Sequence, residues 1–192
     1  HATAINTLAA SRDGRVAVTC ASDDPACLWD ATTGRLLRRV PVGGRPNLSP
    51  IVALSDDGAR VVVTSSVTDA VVFDVATGEE VRRVDAAGAT LTALAFSPDG
   101  STVVVGDDRG AITGWSGTSK KPRWQHRVHG GEIPAVAVVA DGGLVVTGGA
   151  DGKVHATTVS GRDRAECDMS SGKVTHVAAT SDGTWLAAAD EG

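Results

Sequence analysis

The sequence predicts an all-β chain, a β-propeller of four-stranded antiparallel blades, on three observations. Asp-Gly recurs as Asp13-Gly14, Asp57-Gly58, Asp99-Gly100, Asp141-Gly142 and Asp182-Gly183, the aspartates being 44, 42, 42 and 41 residues apart. Fifteen residues after each of the first four turn glycines stand Trp29, Phe73, Trp115 and Thr157, a second marker in phase with the first. Between the markers lie short stretches of valine, alanine and leucine, the pattern of many brief strands at even spacing. A period of roughly 40–45 residues is the length of one blade.

Each unit reads as four strands in order. An apolar stretch precedes each Asp-Gly, at residues 5–10, 51–54, 91–96, 136–139 and 174–179. A second follows it, at 16–19, 61–63, 103–105 and 145–147; a third ends at the aromatic marker. A fourth comes after turns of the ATTG type, at 36–40 and 81–84. One propeller segment over 1–192 is expected, with blades at about 1–40, 41–84, 85–128 and 129–169 and a partial one at 170–192. About four and a half blades make an incomplete ring, because propellers close with roughly four to eight. No segment carries a 3.6-residue apolar period, so no helix is expected.

Composition narrows the function. Apolar residues make up 42% of 192, yet only six are aromatic (four Trp, two Phe) and none is tyrosine. The interior is therefore aliphatic, which suits pleated sheets. A net charge of −5 gives no basic footprint for nucleic acid. No apolar run approaches the roughly 20 residues that span a bilayer, and no charged-then-apolar leader is seen, so a cytoplasmic location is expected. The first residue is His1 rather than methionine, and a segment of a longer protein is expected. The absent blades would come from the rest of that chain or from self-association; a compact four-bladed form with a loose tail is the third possibility.

The sequence carries no reactive constellation. There is no phosphate loop, nucleophile elbow or HExxH helix, and no His, Cys or acidic residues stand at metal-ligand spacing, so no catalytic, cofactor or metal residues are assigned. The acidic pairs Asp23-Asp24, Asp107-Asp108 and Asp190-Glu191 read as solvated turns. Three cysteines are too few for a disulfide framework. With a turn centred between Asp23 and Asp24, Cys20 and Cys27 would face each other closely enough to bridge, or would simply be two reduced thiols filling space.

The markers carry a resemblance to the WD-repeat (WD40) family of β-propellers, and a composition rich in alanine, valine, arginine, aspartate and glycine resembles that of its bacterial members. Trp29-Asp30 and Phe73-Asp74 match the dipeptide that ends the third strand in that family. The resemblance implies a hydrogen-bonded tetrad in each blade. His1, Thr19, Asp23 and Trp29 fill it in the first unit; His129, Thr147 and Asp151 fill three places in the fourth, with Thr157 for the tryptophan. The second and third units depart, with Val67 and Arg109 in the aspartate slot and no opening histidine. What the family implies is a protein–protein interaction scaffold or sensory module within a larger signalling or assembly protein, and no enzyme.

A basic period gives the candidate contact surface. Arg39, Arg83 and Arg127 recur every 44 residues, preceded by Arg38, Arg82 and His126, and Lys120, Lys121, Arg123 and Trp124 form a cationic stretch around a ring. An acidic protein partner binding at Arg39, Arg83, Arg123, Trp124 and Arg127 is one reading. The other is that these charges keep outer strands soluble and block edge pairing. The competing function is a propeller enzyme, a lactonase-like hydrolase or quinone-dependent oxidoreductase, which would need metal ligands or aromatic rings to stack a cofactor.

Overall fold

The computed structural model describes residues 1, 4–21, 24–43, 50–116, 119, 121–139, 143–169, 172–180 and 182–191. Among them there are eighteen strands and no helix. The first sheet holds β1 (Ile5–Ala10), β2 (Val16–Ala21), β3 (Ala26–Asp30) and β4 (Arg35–Val40). The second holds β5 (Val52–Leu54), β6 (Arg60–Thr64), β7 (Asp69–Asp74) and β8 (Glu80–Asp85). The third holds β9 (Leu91–Phe96), β10 (Thr102–Asp107), β11 (Ala111–Ser116) and β12 (Trp124–Arg127). The fourth holds β13 (Ala135–Val139), β14 (Leu144–Gly148), β15 (Lys153–Thr158) and β16 (Asp163–Asp168), and a two-stranded sheet pairs β17 (Val174–Ala179) with β18 (Leu186–Asp190). Every sheet pairs strands in chain order, each antiparallel to the next, the topology of propeller blades.

The chain divides into two compact units, His1–Gly88 with the first two sheets and Ala89–Gly192 with the rest. Within each, period-2 alternation sends one face of a sheet into the neighbouring sheet. In the first unit, Val18, Cys20, Ala26, Leu28 and Val40 of the first sheet form one buried cluster with Val61, Val63, Val71 and Phe73 of the second. In the second unit, Val104 and Ile112 of the third sheet cluster with Ile133 and Val145. The fourth sheet in turn buries Val146 and Ala156 with Val174 of the last. Each sheet thus gains its stability by removing an aliphatic face from water, at about 25 cal/mol per Å² of apolar area.

The Asp-Gly turns are built by one repeated device. Asp13 accepts hydrogen bonds from the Ser11 hydroxyl (2.7 Å) and the Arg15 amide (3.0 Å), while Ser11 Oγ accepts from the Val16 amide (3.0 Å). Ser55 with Asp57, Ser97 with Asp99 and Thr180 with Asp182 repeat it. The glycine after each aspartate has φ between 66° and 70°, a left-handed conformation that glycine adopts without cost. The Asp141-Gly142 turn lies outside the described residues.

Register corrects one expectation. Cys27 faces Thr19 across β2 and β3, and Val18 faces Leu28. The hairpin is therefore one residue out from a turn centred between Asp23 and Asp24, and a one-residue slip sends neighbouring side chains to opposite faces. Cys20 belongs to the cluster against the second sheet, Cys27 to the other face, and both are buried free thiols.

Candidate functional site

The hairpin β2–β3 and the adjoining strand β4 shape a cleft of about 350 Å³, lined by His1, Asp24, Pro25, Cys27 and Arg39. Its side wall is a hydrogen-bonded row. The Trp29 indole donates to Thr19 Oγ1 (2.8 Å), and the same oxygen lies 2.8 Å from His1 Nε2. His1 Nδ1 stands 3.5 Å from Asp24 Oδ2. Asp23, the aspartate that the resemblance implies, lies outside the described residues. Pairing of Cys27 with Arg39 across β3 and β4 puts the guanidinium on the cleft side of the sheet. Arg39 is exposed, and no hydrogen bond or ion pair engages its guanidinium among the described residues.

The fourth sheet repeats the row with a fuller set of bonds. His129 Nε2 lies 2.8 Å from Thr147 Oγ1, and His129 Nδ1 lies 2.9 and 3.1 Å from the Asp151 oxygens. Asp151 also accepts from the Gly130 amide (3.1 Å) and the Lys153 amide (3.2 Å). Thr157, in the tryptophan slot, is buried, and the buried His155 ring lies edge-on to His129, centroids 4.7 Å apart. His155 stands where Cys27 stands in the first sheet, and nothing in its sequence neighbourhood announced the stacking.

Burial pushes the His129 imidazole below its ordinary value, against the opposing pull of Asp151. Burial alone would raise Asp151; the Gly130 amide and His129 outweigh it and hold the carboxyl below its usual range. The hydroxyl and amide donors at Asp13, Asp57 and Asp99 lower those carboxyls too, and Asp182 is brought to about 2. The sign is the same for every group: a folded-state value below the unfolded one gives stability that is complete above the unfolded value and is lost on acidification. Thermal midpoints should therefore fall first as pH drops through about 6.5, where His129 must accept a proton. They should fall again from about pH 4 toward 2, as the turn aspartates are protonated. A midpoint that stays level from pH 7 to 3 would contradict both assignments.

The sheets without a complete row show what its absence does. Trp115 occupies the tryptophan slot of the third sheet, but the position of Thr19 is taken by Val105, and the buried Trp115 Nε1 finds no acceptor. In the same sheet Asp107 closes its own turn, accepting from the Arg109 and Ala111 amides at 2.9 and 2.8 Å. In the second, Asp69 accepts from Ser66 (2.6 Å) and Thr68 (3.0 Å).

The basic period is only partly preserved. Arg39 faces Cys27 and Arg83 faces Val71, both two residues before the aromatic marker. Arg127 instead faces Ala111, four residues before Trp115, and Gln125 takes the matching place. The segment from marker to arginine is two residues longer in the third unit, so the 44-residue interval does not mark equivalent positions there. Arg83 is exposed but held by Glu80 at 2.7 Å. Trp124 is no free anchor: it is half-buried, packs where a side chain at Gly114 would stand, and stacks on His126 at 5.5 Å. Arg123 is exposed, and Lys120 lies outside the described residues.

The cleft can hold an anionic group on Arg39, beside an imidazole and a thiol. A quinone cofactor would need a flat ring to stack on and several carboxylates to hold a cation. The cleft offers neither Trp nor Phe and a single carboxylate, Asp24, so it does not fit such a group. Among the described residues no group of three or more His, Cys, Asp or Glu is placed to hold a metal ion.

Residues 28–184 match the PQQ_2 family, described as outer membrane protein assembly factor BamB. No curated protein sequence matches the chain. Among solved structures, the β-propeller domain of Cps50 (Swd1) from Myceliophteria thermophila is similar, with a TM-score of 0.81 and 14% sequence identity over 97% of this chain. The chain spans 62% of the length of that propeller, and at such identity the likeness concerns the fold alone.

Proposed function

We propose, from the premise that the chain belongs to the PQQ_2 family of β-propellers, that it is a non-enzymatic scaffold that binds an acidic protein segment at the cleft of the first sheet. The observation that carries this reading is Arg39: an exposed guanidinium without a partner among the described residues, on the rim of a cleft large enough for a side chain. A planar guanidinium is suited to pair with a carboxylate through two parallel hydrogen bonds. A net charge of −5 repels an acidic partner at long range, so attraction has to be local, and Arg39 supplies it where Arg83 is already neutralised. The description of the matching family as an assembly factor supports binding over chemistry. The row at His1, Thr19 and Trp29, and its counterpart at His129, Thr147 and Asp151, support the closer likeness to WD repeats.

The 62% span supports a second element of the proposal, that further blades of a longer protein complete the propeller. Ile5 and Leu8, on the first strand, are 55% and 66% exposed, a large apolar surface for a folded sheet.

The test uses a fluorescent hexaglutamate peptide and the 192-residue chain at low ionic strength, with hexaglutamine as the uncharged control. Fluorescence anisotropy should show the glutamate peptide bound, with affinity falling about tenfold in Arg39→Glu, the loss of roughly one charge-assisted pair, and little changed in Arg83→Glu. Equal binding by the wild type and Arg39→Glu, or no binding by either, would dispose of the acidic-partner reading.

A further inference from the structure

Strand alternation divides the paired basic residues by task. Arg39 lies opposite Cys27 and faces away from the second sheet, whereas Arg38 lies opposite Leu28, on the face buried against that sheet. From there Arg38 reaches the turn that joins β7 to β8. Its Nε donates to the Val75 carbonyl (3.3 Å) and its Nη2 donates to that of Ala76. In the second unit His126 lies on the corresponding face but two residues farther along its strand: it is opposite Ile112, three residues before Trp115, and the Ile112 side chain is buried toward the fourth sheet. His126 Nε2 lies 3.2 Å from the Val159 carbonyl, in the turn that joins β15 to β16. Val75 and Val159 are equivalent, each two residues after the marker position, Phe73 or Thr157.

The receiving turn is shaped for this approach. A Cβ built on Gly78 would stand 2.5 Å from Arg38 Cδ, and one built on Gly161 would stand 2.5 Å from His126 Cε1. Both glycines have positive φ, 76° and 80°. Gly34, the matching glycine of the first sheet, has φ of 71° but nothing within 4 Å of such a Cβ. The glycines thus share one backbone conformation, and two of them also admit a side chain from the preceding sheet.

We infer that Arg38 and His126, on the same face of their fourth strands, are clasps that join the first sheet to the β7–β8 turn and the third sheet to the β15–β16 turn, each reading a backbone carbonyl over a glycine. The chemistry a clasp requires is a long or planar N–H donor, which is why arginine and histidine serve alike. It follows that Arg38 and Arg39 are not interchangeable: the first fastens the two sheets of its unit, and the second faces the cleft.

Amide hydrogen exchange on the whole chain tests the clasp. The Gly161 amide donates to the Thr158 carbonyl (2.8 Å) and the Gly78 amide to that of Asp74 (2.8 Å), so their exchange reports opening of the two turns. In His126→Ala, exchange at Gly161 should accelerate about tenfold, one hydrogen bond's worth, while His126→Arg stays near the wild type. Arg38→Ala should do the same at Gly78 and leave Gly161 unchanged. A backbone control separates the clasp from glycine strain: Gly78→Ala should lower the melting temperature about 4 °C further than Gly34→Ala, because it also ejects Arg38. Equal melting shifts for the two glycine variants, no acceleration in His126→Ala, or equal acceleration in His126→Ala and His126→Arg would each overturn the inference.

Discussion

Ile133→Ala is expected to destabilise the second unit by about 3–4 kcal/mol in urea denaturation, the range for emptying a fully buried branched side chain. Ile133 has no accessible surface and lies in the cluster formed by Val104, Ile112 and Val145, so its side chain joins the third sheet to the fourth. The surroundings cannot collapse easily into the gap. The Ile133 amide donates to the Asp107 carbonyl (3.0 Å), and its own carbonyl accepts from the Thr92 hydroxyl (2.7 Å), so the backbone is pinned on both sides. Gly106 explains why the site holds an isoleucine: a Cβ there would come within 2.9 Å of Ile133 Cγ2. Gly106→Ala alone should cost about 1–3 kcal/mol by overpacking, yet should partly restore an Ile133→Ala chain by filling the space. A loss under about 1 kcal/mol for Ile133→Ala would mean that this contact between sheets is loose.

The second large effect is expected at Asp151. Asp151→Ala should cost about 3 kcal/mol, because three donors lose their acceptor together: the His129 ring and the Gly130 and Lys153 amides. His129 is buried and cannot turn to water, whereas the two amides can be partly rehydrated because Asp151 is about a quarter exposed. Removing His129 in the same background should cost less than the two single losses added, as expected for partners in one network. Additive losses, or a loss under about 0.5 kcal/mol for Asp151→Ala, would show that the pair does not hold the sheet together.

Much of this architecture was legible in the sequence, and the reasons for the misses are specific. Asp-Gly at a steady interval marks where tight turns fall, and the valine-rich stretches between them read as short strands, so five sheets followed in order. The residues of the rows at His1, Thr19 and Trp29 and at His129, Thr147 and Asp151 came from the WD-repeat resemblance and not from spacing; their hydrogen bonds lie within one sheet. Contacts between sheets were not legible. Arg38 and Arg39 look alike in sequence, and only the identity of the face buried against the next sheet tells them apart. Cys20 and Cys27 miss facing each other by a single residue of register, which no composition signal resolves, and they stand as the two free, space-filling thiols that were the other reading. Arg127 fell out of the row because two extra residues lie between Trp115 and it, a length difference visible in the sequence but masked by the matching 44-residue interval.

Packing of one sheet's aliphatic face on its neighbour underlies every inference above, and the cysteines report on it directly. Cys20 lies in the cluster between the first two sheets with no accessible surface, and burial, with Cys27 adding to it, pushes its thiol up to about 12. Cys27 is buried and Cys167 exposed. Titrating the native chain with a chromogenic disulfide, and locating the adduct by mass spectrometry, should find one fast thiol, Cys167, and all three only after unfolding. Rapid native labelling of Cys20 would mean that the first sheet does not lie against the second.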